Sequence, residues 1–323
     1  MDTNTSVEEA VVYDLVVVGL GPSGIEATLE ASKLGLKYIS IESEKIGSTF
    51  TNGMLEKKFL HDYGTNKAGK MLGLLSFADR STGRELVLGW KEQLSKSNVT
   101  ENTRLNKITK EGDIYNLGCS NCTLKSRSVL LTTGIFENPI HLHVDGELNN
   151  QNISYTLDYS KQPEGKRVLV VGGGNSAAET ALTLFGMNEV SLIVREGEMA
   201  TSVTERNRKD LMDAEKNGGI KIIYNTEVKE VKSDKVMANG TNGEQELAYD
   251  NIYIHIGFEK PDDWLLKMGI KTLDGKPVLD DNFETSLPNV FITGSLAGTN
   301  SIIDSANQTV AVIKKISESV LKL

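Results

Sequence analysis

The run Val16-Val17-Val18-Gly19-Leu20-Gly21-Pro22-Ser23-Gly24 limits what this chain can fold into more than any other stretch. An apolar, β-branched run ends in a G-x-G-x-x-G spacing, and a helical pattern follows at once through Ile25, Leu29 and Leu34, with Gly35 as its stop. That order predicts a strand, a tight turn and a helix start. Gly19 permits the turn, Gly21 lets backbone approach a pyrophosphate, and Gly24 lets the helix pack closely on the strand. The helix N-terminus offers free N–H groups to the anion. A second strand, Tyr38-Ile39-Ser40-Ile41, runs into Glu42, eighteen residues beyond Gly24, which is where an acid meets a ribose hydroxyl. Pro22 and Ser23 sit inside the turn, and Ser23 is expected to cap the helix.

With 323 residues there is room for two domains. A hydrophobic share of 39% against 24% charged residues describes a globular chain rather than a disordered one. The net charge of −9 argues against nucleic acid as a partner. The first ten residues lack the cationic flank and apolar core of a signal peptide, and no apolar run approaches the ~20 residues that cross a bilayer. The expectation is a cytoplasmic protein without a membrane partner. Two cysteines, Cys119 and Cys122, cannot make a disulfide framework and fit a reducing compartment.

After Glu42 comes a polar, glycine-containing stretch through Gly47, Asn52, Gly53, Gly64, Gly69 and Gly73, which reads as loops lining a site. A helix is predicted over Glu85 to Leu94, then an antiparallel meander with strands near Leu105 to Thr109 and Ile114 to Leu117. Val129-Leu130-Leu131 follows as a strand stopped by Thr132-Thr133-Gly134, small residues that let a ligand approach backbone.

A second strand, glycine turn and helix is written in Arg167 to Glu179, with Gly172 and Gly174 at the first and third fingerprint positions and Ala177 at the sixth. Two such sites imply two dinucleotides. The following strand, Val190 to Val194, ends not in an acid but in Arg195, where a 2′-phosphate would sit. NADPH is therefore favoured, with NADH possible because Glu196 is adjacent. A polar helix at Thr204 to Lys216, a strand at Lys221 to Tyr224, a hairpin turn within Asn239 to Gly243 and a strand at Ile252 to Ile256 complete this half. A third strand-to-glycine turn, Pro288 to Gly294, and a helix from Ser305 to Leu321 end the chain.

In order, G-L-G-P-S-G, Glu42, T-T-G at 132–134, G-G-G-N-S-A-A-E at 172–179, I-G-F-E-K-P at 256–261 and Leu287 to Phe291 resemble the thioredoxin-reductase-like pyridine nucleotide-disulfide oxidoreductases over nearly the whole chain. The resemblance implies an α/β fold of two Rossmann-like, three-layer ββα domains: a discontinuous FAD domain at 1–138 and 262–323, and an NAD(P)H domain inserted at 139–261. It implies hinges near Asn138-Pro139 and Pro261, and a homodimer. By position, Gly19, Gly21, Pro22, Ser23, Gly24 and Glu42 would hold the adenosine and pyrophosphate of FAD, with Thr133, Gly134, Gly294 and Ser295 on the same cofactor. Asn307, Gln308 and Thr309, at the start of the last helix, would face the flavin ring. Gly172, Gly174, Asn175, Ser176 and Arg195 would hold NADPH.

Two departures from the family bear on activity. Where thioredoxin reductases carry a redox C-x-x-C, this chain reads Tyr155-Thr156-Leu157-Asp158, which excludes thioredoxin reduction by that route. The family's G-D reads Gly294-Ser295 here, so FAD is expected to be held less tightly. Among cysteine-poor relatives the chain is most similar to the bacillithiol disulfide reductase-like group, although Ser23 stands where that group has a cysteine. The expected activity is hydride transfer from NAD(P)H to FAD and on to a small-molecule acceptor or redox protein. A ferredoxin–NADP reductase and a silent nucleotide-binding module are the alternatives. Tyr155 and Asp158 are candidates for touching a substrate, as is His61 in the loop after Glu42. Cys119 and Cys122 flank a Ser-Asn turn and read as incidental turn residues, with a strained, reducible disulfide or half a metal site as the alternatives. His141 and His143 have no ligand cluster beside them and are not assigned to a metal.

Overall fold

The computed structural model describes residues 11–59, 70–148, 150–299 and 301–320. The chain divides into two compact units, Met1–Ile135 with Lys260–Leu323, and Phe136–Glu259. These divisions fall three and two residues before the ends of the expected segments at 138 and 261. The reason is local. Pro139 and Phe258 form an antiparallel bridge, and the Glu259 N–H donates to the Asn138 carbonyl at 2.7 Å, so residues 136–138 belong with the second unit, whereas Lys260 Nζ donates to the Asp274 carbonyl and the Pro261 carbonyl accepts the Leu265 N–H, which ties both to the first.

The first unit begins with β1 (Val12–Val18), α1 (Pro22–Lys33), β2 (Tyr38–Ile41), the short α2 (Ser48–Thr51), α3 (Gly83–Gln93), β3 (Val99–Thr100), β4 (Leu105–Glu111), β5 (Ile114–Cys119) and β6 (Thr123–Leu131). In β1 the period of two sorts side chains to opposite faces. Leu15 and Val17 pack with Ala27 and Ala31 of α1, while Val16 and Val18 pack with Ile108, Tyr115 and Leu117 of the meander. This alternation makes the three layers: helices, parallel sheet, antiparallel meander. The sheet order is β3-β2-β1-β6-β5-β4, parallel across the first four strands and antiparallel in the last two pairings. Helix α3 starts two residues before the expected Glu85. Thr82 accepts the Glu85 N–H while the Glu85 carboxylate takes the Thr82 N–H, a reciprocal cap.

The second unit holds β7 (Ile153–Ser154), β8 (Arg167–Val171), α4 (Asn175–Leu184), β9 (Glu189–Ile193), α5 (Glu205–Lys216), β10 (Ile220–Ile223), β11 (Glu227–Val231), β12 (Lys235–Gly240), β13 (Gly243–Ala248) and β14 (Asn251–Ile254). A parallel sheet of order β10-β9-β8-β14-β7 lies between α4 and α5 on one face and the antiparallel β11-β12-β13 on the other. Gly240 pairs with Gly243, so the expected hairpin turns at Thr241-Asn242.

The chain then re-enters the first unit through α6 (Asp262–Lys267), β15 (Thr272–Leu273), β16 (Lys276–Pro277) and β17 (Val290–Ile292), which adds to the sheet beside β6. A 3-10 turn (Gly294–Ala297) and α7 (Ile302–Val320) follow, α7 packing Val312, Ile313 and Ile316 with Ala27 and Ala31 of α1. Helix α7 begins three residues before the expected Ser305. The Ser301 hydroxyl accepts the Asp304 N–H at 3.0 Å and donates to its carboxylate at 2.7 Å, which starts the helix early. Asn307, Gln308 and Thr309 therefore lie in its second turn, not at its start. Among the described residues no helix is long and apolar enough to cross a membrane.

Candidate nucleotide-binding sites

In the first unit each glycine of the turn answers a separate constraint. Gly19 has φ +100, and a Cβ there would stand 2.7 Å from the Thr132 carbonyl oxygen. At Gly24 a Cβ would stand 1.8 Å from the Gly19 carbonyl oxygen, so helix and strand touch through backbone alone. Gly21 differs: nothing of the protein lies within 4 Å of its missing Cβ. Gly21 is also the N-cap of α1, with Pro22 in the first turn and no side-chain cap. The N–H groups of Ser23 and Gly24, in the first turn, have no intrahelical acceptor. An uncapped helix N-terminus beside an open glycine is a cradle that fits a pyrophosphate.

Ser23 does not cap the helix, contrary to expectation. It lies one position past Pro22, and its hydroxyl donates to the Ser305 carbonyl at 3.1 Å. Its Oγ would be 2.5 Å from a Cβ on Gly294, which holds φ +82. Gly134, at φ +71, faces the Ser295 hydroxyl at a Cβ distance of 3.2 Å, and the Gly294 N–H donates to Gln308 Oε1 at 2.8 Å. The fold thus gathers Ser23, Gly134, Gly294, Ser295 and Gln308 beside the first turn, with Thr133 exposed next to them. Thr309 is turned inward: it is fully buried, with its hydroxyl against Thr293 at 2.8 Å and the Ser305 carbonyl at 2.9 Å.

Glu42 is buried and already committed to the turn. Its Oε2 accepts the Leu20 N–H at 2.7 Å and its Oε1 the Glu44 N–H at 3.0 Å. The carboxylate therefore shapes the turn. Two further roles escaped the sequence reading, those of Thr132 and Glu26. The Thr132 hydroxyl lies 2.7 Å from the Gly19 carbonyl oxygen and 3.0 Å from that of Val18, tying β6 to the turn. Glu26, fully buried in α1, accepts the Leu74 and Leu75 N–H groups at 2.8 and 2.7 Å. Burial pushes its carboxyl up more than those two bonds pull it down. Asn307 clasps the same segment, accepting from the Leu72 N–H and donating to the Lys70 carbonyl. Only Gly73 hinted at this, since a Cβ there would stand 2.0 Å from Glu26 Oε1.

The second unit repeats the cradle. Gly172 has φ +141, and a Cβ there would meet the His255 carbonyl oxygen at 2.2 Å. Gly174 is the N-cap of α4 without a side-chain cap, and the nearest atom to its missing Cβ is Ser202 Oγ at 4.0 Å. Ser176 is exposed in the first turn. The Asn175 side chain is taken: Oδ1 accepts from the Thr204 N–H and Asn207 Nδ2, and Nδ2 donates to Glu179. It anchors the start of α5, leaving its backbone to a ligand. Arg195 is 74% exposed, its Nε 3.1 Å from Glu196 Oε1, at the rim of an open depression shared with Asn225, Asn239 and Thr241.

Tyr155 and Asp158 are both committed to internal hydrogen bonds. Tyr155 Oη lies 2.7 Å from Glu147 Oε1 and 2.7 Å from His141 Nδ1. One phenolic proton cannot serve both, so Tyr155 donates to the carboxylate and accepts from His141. Asp158 accepts the N–H and hydroxyl of Ser160, an Asx turn. Burial pushes the Glu147 carboxyl up, but the Leu142 N–H, the Tyr155 hydroxyl, the His143 N–H and nearby His141 outweigh it and hold it below 4.5. Its contribution to stability is thus full above 4.5 and is lost as pH falls through the folded value. Tyr155→Phe is expected to cost about 1.5–3 kcal/mol at neutral pH, a bond to a charged group, and the cost should shrink on acidification below 4.5. Urea unfolding of both proteins across pH measures this, and a deficit independent of pH would rule out the Tyr155–Glu147 bond as its source.

Among the described residues no group of three or more His, Cys, Asp or Glu can hold a metal, and His141 and His143 have ring centres 6.1 Å apart. His61 lies outside the described residues.

Residues 16–294 match the family model for pyridine nucleotide-disulphide oxidoreductase. Among curated proteins, the chain is 27% identical to the ferredoxin–NADP reductase of Ignicoccus hospitalis, over 88% of this chain and 90% of that one. It is 27% identical to the thioredoxin reductase of Peptoclostridium acidaminophilum, over 88% and 89%. Among solved structures, the fold is similar to the bacillithiol disulfide reductase of Bacillus cereus, with a TM-score of 0.84 at 19% identity, covering 96% of this chain and all of that one. With a family match over most of its length and two glycine cradles of one build, the chain belongs to the pyridine nucleotide-disulphide oxidoreductase family and is an NAD(P)H-dependent flavin oxidoreductase.

Proposed function

We propose that the protein takes FAD on the Gly19–Gly24 turn and NADPH on the Gly172–Asn175 turn, and passes electrons to a redox protein of the ferredoxin type. The observation that carries this reading is the pair of uncapped helix N-termini, at Gly21 and Gly174, in a chain whose Tyr155 and Asp158 are committed to internal hydrogen bonds. A thiol relay has no residues at those positions, and relatives named ferredoxin–NADP reductase support direct release of electrons to a protein acceptor. Bound together, the two cofactors supply hydride transfer and electron release; the protein supplies position. The Ser23 and Gly24 N–H groups neutralise one pyrophosphate, Glu42 accepts from a ribose hydroxyl, and Gly134, Ser295 and Gln308 stand beside the remainder of the flavin. In the second unit the α4 N-terminus and Ser176 hold the other pyrophosphate, and Arg195 faces the 2′-phosphate. The family resemblance also supports a homodimer in the cytoplasm as the working form. A small-molecule disulfide or quinone-like acceptor is the second reading, favoured by the fold likeness to bacillithiol disulfide reductase.

Anaerobic mixing of the purified protein with NADPH or NADH, followed by absorbance, tests the donor. NADPH is expected to bleach the flavin band faster, and Arg195→Ala to lower that preference about tenfold, the worth of one charge-assisted bond to phosphate. Faster bleaching by NADH would reverse the donor assignment. A yellow protein that neither donor bleaches would leave a silent nucleotide-binding module in its place.

A further inference from the structure

The chain has two cysteines, Cys119 and Cys122, and neither belongs to either glycine turn. Cys119 ends β5 and Cys122 immediately precedes β6, either side of Ser120-Asn121. The register pairs Gly118 with Thr123, so Cys119 is opposite Cys122, and the Cys119 N–H donates to the Cys122 carbonyl at 2.9 Å. Hydrogen-bonded partners across an antiparallel ladder have Cα atoms about 5.5 Å apart. A disulfide spans about 4.4–6.8 Å. Both thiols are free; Cys122 is exposed and Cys119 partly buried, its Sγ 3.8 Å from the Leu117 carbonyl oxygen.

The turn between them is wired into the first nucleotide cradle. The Ser120 N–H donates to the Arg104 carbonyl at 2.8 Å, and the Arg104 N–H returns a bond to Ser120 Oγ at 3.2 Å. Asn121 Nδ2 donates to Thr103 Oγ1 at 3.2 Å. Thr103 is 1% exposed, and its N–H donates to the Glu42 carbonyl at 2.7 Å, while the Asn102 N–H holds the Glu44 carbonyl at 3.0 Å. Residues 102–104 are thus the shared backing of the hairpin tip and of the strand end that carries Glu42.

We propose that Cys119 and Cys122 form a redox-modification site, a dithiol that low-molecular-weight disulfides oxidise to an intrachain disulfide, and that closing it loosens the grip on flavin through Thr103 and Glu42. The second half rests on Glu42 holding the flavin nucleotide; the first does not.

The Cys122 thiol, losing its proton, attacks one sulfur of the small disulfide RSSR. The S–S bond of RSSR breaks, a bond forms between Cys122 and one RS group, and the departing thiolate takes up the proton. Cys119 then loses its proton and attacks the Cys122 sulfur, displacing the second RS group, which leaves as RSH. Two protein thiols are oxidised and one RSSR is reduced to two RSH. The order follows from access. Burial, with Cys122 close by, pushes the Cys119 thiol up to about 12, so the exposed sulfur attacks and the buried one resolves. A four-residue loop closed across a hairpin is strained, which makes the product reducible by excess thiol.

Oxidised glutathione is the probe, added to the purified flavin-bound protein, with intact mass, free-thiol titration and flavin release after gel filtration as readouts. The expected result is loss of both thiols and of two hydrogens with no adduct, reversal by excess reduced glutathione, and a several-fold faster release of flavin from the oxidised form. Cys119→Ser should hold a stable glutathione adduct on Cys122, and Cys122→Ser should react far more slowly. A lasting adduct on the unaltered chain, without the two-hydrogen loss, overturns the site. A disulfide that forms but leaves flavin release unchanged overturns the coupling to Glu42. A chain that purifies without flavin overturns the cofactor reading, while mass and thiol titration still decide the site.

Discussion

A Gly24→Ala protein is expected to lose about 3 kcal/mol of stability or more, at the upper end of what overpacking costs, and to purify without flavin. The added Cβ would stand 1.8 Å from the Gly19 carbonyl oxygen and 2.7 Å from Thr132 Oγ1, and neither can retreat. Gly19 is itself held at φ +100 against the Thr132 carbonyl, so any shift passes straight into β1 and β6. The informative control lies three residues away. At Gly21 an added Cβ meets no protein atom within 4 Å, and φ of −79 suits alanine. Gly21→Ala should therefore keep the unfolding curve of the unaltered protein and still lose most of its flavin, because only a ligand occupies that space. Urea unfolding and flavin absorbance on the two variants separate packing from binding. Full flavin retention in Gly21→Ala would remove the pyrophosphate from this turn.

Replacing Glu42 with alanine should combine both losses. The carboxylate is 6% exposed and accepts the Leu20 and Glu44 N–H groups. Removing it strands two backbone donors, at about 1–3 kcal/mol for each one left without a partner. The expected cost is about 2–6 kcal/mol, at the lower end if water enters the vacated space, together with at least tenfold weaker flavin binding from loss of the ribose contact. Glu42→Gln should fall between, since its amide oxygen can accept one of the two N–H groups but its nitrogen faces the other. If Glu42→Ala binds flavin as tightly as the unaltered chain, the acid is a structural pin of the turn and nothing more. Chemical unfolding and a fluorescence titration with FAD distinguish these outcomes.

Much of the fold was legible because it rests on local rules. The alternation in Leu15 to Val18 sorts one strand between two cores; Gly19, Gly24 and Gly172 stand where backbone has no room for a Cβ or must take positive φ, and Gly21 and Gly174 leave open space at the two helix starts. The Asn239 to Gly243 hairpin follows from turn chemistry in the same way. Helix starts were less legible where a single side chain decides them: Thr82 and Ser301 each set a helix going ahead of the apolar pattern that announces it.

The polar side chains divided differently. Ser23 sits in a helix first turn, which suggests a cap, yet its hydroxyl answers a carbonyl 282 residues away. Glu26 looks like a surface acid on an amphipathic helix until Leu74 and Leu75 are laid across it. Tyr155 reads in the sequence as a candidate for touching a substrate, and only Glu147 and His141, brought in by the entry loop of the second unit, show that its hydroxyl is taken. By itself the sequence determined the two strand-turn-helix cradles, because positive φ and missing Cβ atoms are properties of a residue and its neighbours. Only the tertiary structure decided which polar groups remain free for a ligand, because a hydrogen bond is claimed by whichever partner the fold brings within about 3 Å, and sequence distance does not measure that.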